Sequence, residues 1–215
     1  MNFQSIPAEM KALKQWVCYR SYKKGESGRQ KKIIISPVTG KFAKCNEPDT
    51  WTDYENARSY CMRNRYDGLC FALTQGIIFI DIDHALNKDS GEILSQDAAR
   101  LMERLPDTYT ERSVSGAGIH ILFKGNLPEN ALKRNDEKGI EMYDGGRFIC
   151  MTGHTFNDSL EIRDYSAITA ALNYEFIGRR RPPRYIRSAV SMQSDTELIQ
   201  KIIKSRQGAK FSNLY

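Results

Sequence analysis

An α+β fold follows from three observations on the 215-residue chain. Short apolar and aromatic runs bounded by turn residues read as strands. A smaller number of stretches carry apolar residues at helical spacing. The two kinds of segment mix without the regular strand–helix–strand rhythm of a parallel sheet. At this length, one large domain or one domain followed by a tail can bury a substantial core. With 40% hydrophobic and 27% charged residues, the composition is that of a globular chain and not of a disordered one.

Residues 6–15 read as a short helix that leads into an apolar-aromatic strand at 16–22. A basic turn over 23–32 precedes a second strand at 33–36, and Pro37-Val38-Thr39-Gly40 is a turn. Asp49 or Thr50 is placed to cap a helix over 51–64, where Tyr54, Ala57 and Cys61 recur at helical spacing. Strands at 68–74 and 77–83 flank Gln75-Gly76 and are expected to form a hairpin. A polar loop over 85–95 leads to a helix at 95–105, ended by Pro106. Strands at 109–113 and 119–124 are joined by the run from Ser113 to Gly118. A polar excursion over 126–138 precedes strands at 140–143 and 148–152, joined by a Gly145-Gly146 turn, and a helix at 165–173 closes the domain.

The domain is expected to end at 176. Residues 177–193 contain Gly178-Arg179-Arg180-Arg181-Pro182-Pro183-Arg184, a basic, helix-breaking run that reads as a linker. Beyond it, Ser194-Asp195-Thr196-Glu197 is a capping box opening an amphipathic helix with Leu198, Ile199, Ile202 and Ile203. A lone helix over 194–215 has little to bury against, so the chain reads as the front part of a longer protein, ending at the start of a helical module.

A net charge of +6 and a pI of about 9.0 favour polyanionic partners. No apolar stretch approaches the length of a membrane span, and the start Met1-Asn2-Phe3-Gln4-Ser5 lacks the basic and apolar regions of a signal peptide. The expected compartment is therefore the cytoplasm, with no membrane partner. Cys18, Cys45, Cys61, Cys70 and Cys150 are scattered, with no Cys-x-x-Cys pair, which argues against a structural zinc site or a disulfide framework.

The run Gly76-Ile77-Ile78-Phe79-Ile80-Asp81-Ile82-Asp83 carries the strongest chemical signal. Side chains alternate faces along a strand, so Asp81 and Asp83 point the same way. Two carboxylates on a greasy strand repel each other unless something positive lies between them. A divalent cation with oxygen ligands, Mg²⁺ or Mn²⁺, serving phosphate chemistry is one solution. A strand end that meets solvent or a basic side chain is the other.

Two further constellations follow. In Ser115-Gly116-Ala117-Gly118-Ile119-His120, the paired glycines let backbone N–H groups approach a phosphate, and Ser115 can donate another hydrogen bond. His120 either contacts a phosphate or donates a proton, or it is a structural histidine. No helix follows, so this is not the dinucleotide-binding fingerprint. In Glu141-Met142-Tyr143-Asp144-Gly145-Gly146-Arg147-Phe148, an acid can complete a metal site begun by Asp81 and Asp83, and Arg147 can neutralise a triphosphate. Asp144 lies close enough to compete with Glu141 for that role. Alternatively, Glu141 and Arg147 simply pair across a hairpin.

Taken in order, the acid pair, the Ser-Gly-x-Gly-x-His turn and the acid before Gly-Arg-aromatic resemble the archaeo-eukaryotic primase superfamily, and most closely the primase-polymerase domains of phages and mobile elements. Its first motif, a strand ending in Asp-x-Asp or Asp-x-Glu, matches Asp81 and Asp83. Its second, a small-residue turn leading to a histidine, matches Ser115, Gly116, Gly118 and His120. Its third supplies another acid, here Glu141, with Arg147 and Phe148 after it. Phage-type members also begin with a Trp-Val strand, a Lys-x-Pro segment, Thr-Gly-Lys and a Thr-Trp helix start. These match Trp16-Val17, Lys31-Lys32-Ile33, Thr39-Gly40-Lys41 and Thr50-Trp51. Ile33 stands where the family usually has Pro, which leaves the nucleotide-contacting lysine open among Lys31, Lys32 and Lys41. The resemblance covers residues 10–175, and 194–215 resembles the start of the helical module that follows in such proteins.

The resemblance implies a primase-type core over 1–176, an RRM-like mixed or antiparallel sheet flanked by helices, with a smaller N-terminal α/β part. It implies a nucleotidyltransferase in which Asp81, Asp83 and Glu141 hold two Mg²⁺ or Mn²⁺ ions against a dNTP or NTP. Ser115, Gly116, Gly118 and His120 would cradle the phosphates, Arg147 with Lys32 or Lys41 would add positive charge, and Phe148 would lie beneath the sugar or be a plain core residue. Single-stranded DNA template and primer are the implied partners, a helicase domain or protein a further one, and the host cytoplasm the compartment of a phage-encoded protein. Two rival classes are a non-catalytic RRM-like binder of single strands, which has no use for clustered acids, and a metal-dependent nuclease, which would cut DNA without dNTPs.

Overall fold

The computed structural model describes residues 2–24, 29–157 and 159–178. They lie within one compact unit, Met1–Arg180. Two antiparallel sheets carry it. The first is built from β1 (Trp16–Lys24), β2 (Arg29–Ile35), β3 (Gly68–Leu73) and a late strand, β9 (Arg147–Cys150), in the order β2-β1-β3-β9. The second contains β4 (Gly76–Ile82), β5 (Thr110–Arg112), β6 (Ile119–Gly125), β7 (Arg134–Asn135) and β8 (Ile140–Tyr143), in the order β5-β6-β4-β8-β7. The helices are few: α1 (Ala8–Lys11), α2 (Tyr54–Arg63), α3 (Gln96–Arg104) and α4 (Thr169–Leu172), the last running into a π turn, Asn173–Ile177.

The strands at 68–74 and 77–83 do not form the expected hairpin. All six residues of β3 are buried, and both its edges are taken, by β1 and β9. β4 is likewise central in its own sheet, between β6 and β8. The link from Leu73 to Gly76 therefore carries the chain from one sheet to the other, and Gly76, at φ +97°, turns it where a side chain would be strained. The Gly145-Gly146 segment does the same between β8 and β9, so those strands do not pair either. The two crossings lie side by side, with the Gly146 N–H bonded to the Leu73 carbonyl at 3.2 Å.

Because β9 completes the first sheet, that sheet is not a separate N-terminal part. The helix expected over 6–15 is shorter, with a 3₁₀ turn at Phe3–Ser5 and α1. β2 begins earlier than expected, because pairing with β1 extends through Tyr22–Lys31 and beyond. The cap of α2 is Asp53, which accepts a hydrogen bond from the Asn56 N–H at 2.9 Å, and not Asp49 or Thr50. Those two residues form a 3₁₀ turn, and Thr52 is bonded to Trp16 as a bridge, so the helix cannot start until Asp53. Ser95 caps α3 by accepting from Ala98 N–H.

Alternation along β4 separates two environments. Ile78, Ile80 and Ile82 pack with Ile119, Ile121, Phe123, Ile140 and Met142 against Ala98 and Leu101 of α3, Leu105 just after it, and Leu172, Phe176 and Ile177. Phe79 faces the opposite way and joins Leu122, Tyr109 and Tyr143 with Trp16, Phe71, Tyr54 and Ile149. Asp81 is on this second face, two residues beyond Phe79. Of the expected linker, Ile177 is described and is buried in the core of the second sheet; 179–193 and the helical module at 194–215 lie outside the described residues.

Candidate active site

Strand register gathers charged residues into one row across the second sheet. Glu111 on β5 is opposite His120 on β6, His120 is opposite Asp81 on β4, and Asp81 is opposite Glu141 on β8, which in turn faces Arg134 on β7. Side chains directly opposite one another share a face. Residues spread along the chain from Asp81 to Glu141 thus become neighbours through antiparallel pairing alone: Glu111 and His120 from one strand pair, Asp81 and Glu141 from the next. Asp83 follows the end of β4, exposed, with its N–H bonded to the Gly139 carbonyl at 2.8 Å.

The His120 ring is buried. Its Nε2 is 3.7 Å from Asp81 Oδ1, its Nδ1 is 2.9 Å from Glu111 Oε1, and it packs edge-on to Phe79 at 5.0 Å. Burial works against a charged ring, yet the hydrogen bond to Glu111 and the carboxylates of Asp81 and Glu111 outweigh it and raise the His120 pKa. Asp81 stays 31% exposed, so the row opens to solvent there. Its pKa is raised, chiefly by burial and further by the charges of Asp83 and Glu141, against the opposing pull of His120 and Lys32.

Of the other residues expected at the site, Arg147 comes closest. Its Nη2 is 4.0 Å from Glu141 Oε2, and its guanidinium lies 4.3 Å from the Tyr143 ring and donates to the Tyr143 hydroxyl. Glu141 and Arg147 therefore approach each other, but across a sheet crossing and not across a hairpin. Asp144 is engaged elsewhere: Lys133 Nζ lies at 3.0 Å and the Leu127 N–H donates to it at 3.3 Å. Phe148 is half-buried, packed on Val17, Tyr19, Trp51, Cys70, Ala72 and Cys150. Lys32 acts on Asp81 by its charge and on Cys150 by its charge and a side-chain hydrogen bond, and its ammonium lies 5.5 Å from the Tyr19 ring. Lys41 is exposed in the turn after β2, held by backbone bonds to Ser36 and Thr39.

The glycine turn is more self-contained than its sequence suggests. The N–H groups of Gly116, Ala117 and Gly118 are bonded to Ser113 O, Ser115 Oγ and Ser113 Oγ at 3.0, 3.2 and 3.1 Å. A Cβ on Gly118 would meet Ser113 Oγ at 2.8 Å and the Ile82 carbonyl at 2.9 Å, so this glycine is required for close approach of the turn to β4. The two serine hydroxyls are 3.0 Å apart. They share one hydrogen bond, which leaves one hydroxyl proton free to donate outward.

Glu111 was not singled out from the sequence. In Thr110-Glu111-Arg112 a charged residue on a short strand has no signal of its own; only the β5–β6 register makes it the partner of His120. A cleft of about 670 Å³ borders the turn and is lined by Tyr19, Asp67, Arg112, Ser113, Gly116 and His154 among others. It includes none of Asp81, Asp83 and Glu141.

The donor set fits a hard divalent cation. Asp81, Asp83 and Glu141 offer oxygen only, and their charges act on one another at Asp81. Among the described residues, no three His, Cys, Asp or Glu side chains are already drawn into a ligand cage. No helix among the described residues is long and apolar enough to cross a membrane.

No protein-family profile matches the chain. In sequence it is similar to a DNA primase-polymerase of Nitratiruptor phage NrS-1, 31% identical over 207 residues, a match that covers 94% of this chain and 28% of that protein. The chain thus spans little more than a quarter of the relative's length.

Proposed function

We propose that the chain, similar in sequence to a phage DNA primase-polymerase, is the catalytic domain of a replicative, template-directed nucleotidyltransferase with a primase-type core. The observation that carries the reading is the register that sets Asp81, Glu141 and His120 side by side on one face of the central sheet, open to solvent at Asp81.

Asp81, Asp83 and Glu141 would hold two Mg²⁺ or Mn²⁺ ions. When bound, such ions lower the pKa of a primer 3′-hydroxyl and stabilise the departing pyrophosphate. The protein's own groups bind and orient the nucleotide. His120 Nε2, facing Asp81, is placed to contact the phosphates, with the spare hydroxyl proton of the Ser113–Ser115 pair beside Gly116 and Gly118. Arg147, already next to Glu141, and Lys32, whose charge is felt at Asp81, neutralise the triphosphate, while Lys41 lies in the turn after β2. Dispersed basic residues follow the backbone of a single-stranded template and primer, which makes binding sensitive to salt. A helicase domain or protein is the further partner, and the host cytoplasm the compartment.

The third acid is assigned to Glu141 because its register partner is Asp81, whereas Asp144 is engaged by Lys133. Glu141→Gln should lower primer extension about 10²-fold or more, and Asp144→Asn should leave it within about threefold. The reverse ranking would move the site to Asp144.

Phe148 follows Arg147 on the same strand and keeps part of its ring exposed. If it lies beneath the sugar, Phe148→Ala should change the preference between dNTP and NTP roughly tenfold in kcat/KM. An unchanged ratio with lower thermal stability would make it a core residue only.

A further inference from the structure

The reverse side of the first sheet carries groups that the proposed catalysis does not use. On β2, Ile34 packs on the cluster of Tyr19, Trp51 and Cys150, and the charge of Lys32 acts on Asp81, so these two positions face the site. Lys31, Ile33 and Ile35 therefore face away from it. Their register partners on β1 are Tyr22, Arg20 and Cys18, and Ile35 is also bridged to Phe42. Partners in register share a face, which gathers Tyr22, Arg20, Lys31 and Phe42 on one strip. From Lys31 to Ile35 the strip runs about 13 Å.

Phe42 is 71% exposed and Tyr22 42% exposed, although water disfavours both rings. Phe42 is held in this position by backbone bonds on both sides: Ser36 N–H to the Lys41 carbonyl at 2.8 Å, and Ala43 N–H to the Ile34 carbonyl at 3.0 Å. Arg20 is fixed as well. Its guanidinium lies 4.6 Å from the Tyr66 ring and donates to the Asn64 carbonyl at 3.1 Å, and Tyr66 in turn stacks on Tyr60 at 5.8 Å. Among the described residues, Arg20 and Lys31 have no carboxylate partner, and neither do Arg63 and Arg65, exposed on either side of Asn64. Exposed rings set among unpaired cations suit a ligand with flat apolar faces joined by anionic links, which is an unpaired polynucleotide. A duplex would meet the cations alone, since its base faces are already stacked.

We propose that this strip binds single-stranded DNA outside the active site, with bases on Phe42 and Tyr22 and phosphates on Arg20 and Lys31. That the strand is DNA rests on the function proposed above, whose template it would be; the contact itself needs neither metal nor nucleotide.

The test is fluorescence anisotropy of a labelled oligo-dT with the 215-residue chain, without metal or nucleotide. Phe42→Ala and Tyr22→Ala should each weaken binding about fivefold or more, and the losses should multiply when combined. Neither should change the salt dependence. Lys31→Gln should instead lower the slope of log K against log salt by about 0.7, the share of one phosphate contact on a single strand. All three side chains are exposed, so unfolding temperatures should stay near that of the wild type. Duplex DNA of the same length should register the ring substitutions less than about twofold. In primer extension the KM for primed template should rise with the binding loss, while kcat and the KM for dNTP stay within about twofold. Unchanged oligo-dT affinity in both ring variants overturns the proposal, as does an equal loss on duplex DNA or a loss confined to oligo-U. A fall in kcat in place of the rise in template KM marks the rings as part of the active site and also overturns it. A wild type that binds oligo-dT through these rings but incorporates nothing defeats the proposed function and leaves this inference standing.

Discussion

Replacing Asp81 or Asp83 by Asn should lower template-directed primer extension by at least about 10³-fold, because on the proposed function each change removes an anionic oxygen that would hold a metal ion, worth several kcal/mol in the transition state. The fold persists. Asp81 carries an energetic cost in the native state: burial and the charges of Asp83 and Glu141 raise its pKa, so at neutral pH the folded protein holds a charge it disfavours. Asp81→Asn removes that charge without changing shape, and its unfolding temperature should equal or exceed that of the wild type. Activity and stability thus move in opposite directions, the pattern expected where a site is built at the expense of stability. Extension assays beside thermal unfolding, both at neutral pH, check this. Near-normal extension by either variant would remove the carboxylate pair from the chemistry.

The largest loss of stability is expected at Trp16. The residue is fully buried, its ring meets Tyr54 at 5.2 Å and Phe71 at 5.1 Å in edge-on geometry, and its Nε1–H donates to the Met10 carbonyl at 3.0 Å. One side chain therefore joins α1, α2 and the first sheet. Trp16→Ala should cost about 3–5 kcal/mol, combining lost burial with the cavity left behind. For a domain of this size that lowers the unfolding temperature by roughly 10 °C. Thermal denaturation followed by circular dichroism measures it. A shift of only a degree or two would mean that the surrounding aromatic side chains collapse into the space.

Much of the secondary structure was legible because its causes are local. The run at 77–83 alternates an apolar face with the Phe79–Asp81 face, and Ser95 lies three residues before the N–H it caps. What was not legible is where each strand goes. Period-two alternation tells which residues share a face but not which sheet holds the strand. The links at Gly76 and Gly146 look like hairpin turns, yet they carry the chain between sheets, because β3 and β4 each already have two partners. The start of α2 moved for a similar reason: Thr52 is held by Trp16, a contact distant in sequence.

The same contrast applies at the site. Asp81, Asp83, His120 and Glu141 were singled out as residue types in order, and the register then makes Asp81 the neighbour of both His120 and Glu141. Glu111 escaped notice, since only its pairing with His120 across β5 and β6 gives it meaning. The glycine turn was over-read, because its amides are bonded to Ser113 and Ser115 and not left free for a phosphate.

The measurement that bears most directly on the central claim is single-nucleotide incorporation on primed single-stranded DNA with one defined template base. Each of the four dNTPs and four NTPs is supplied separately, with Mg²⁺ or Mn²⁺. The wild-type chain should add the complementary nucleotide and reject the others, and chelation of the metal should stop it. DNA binding with no incorporation in either metal, or addition indifferent to the template base, would contradict a template-directed nucleotidyltransferase centred on Asp81.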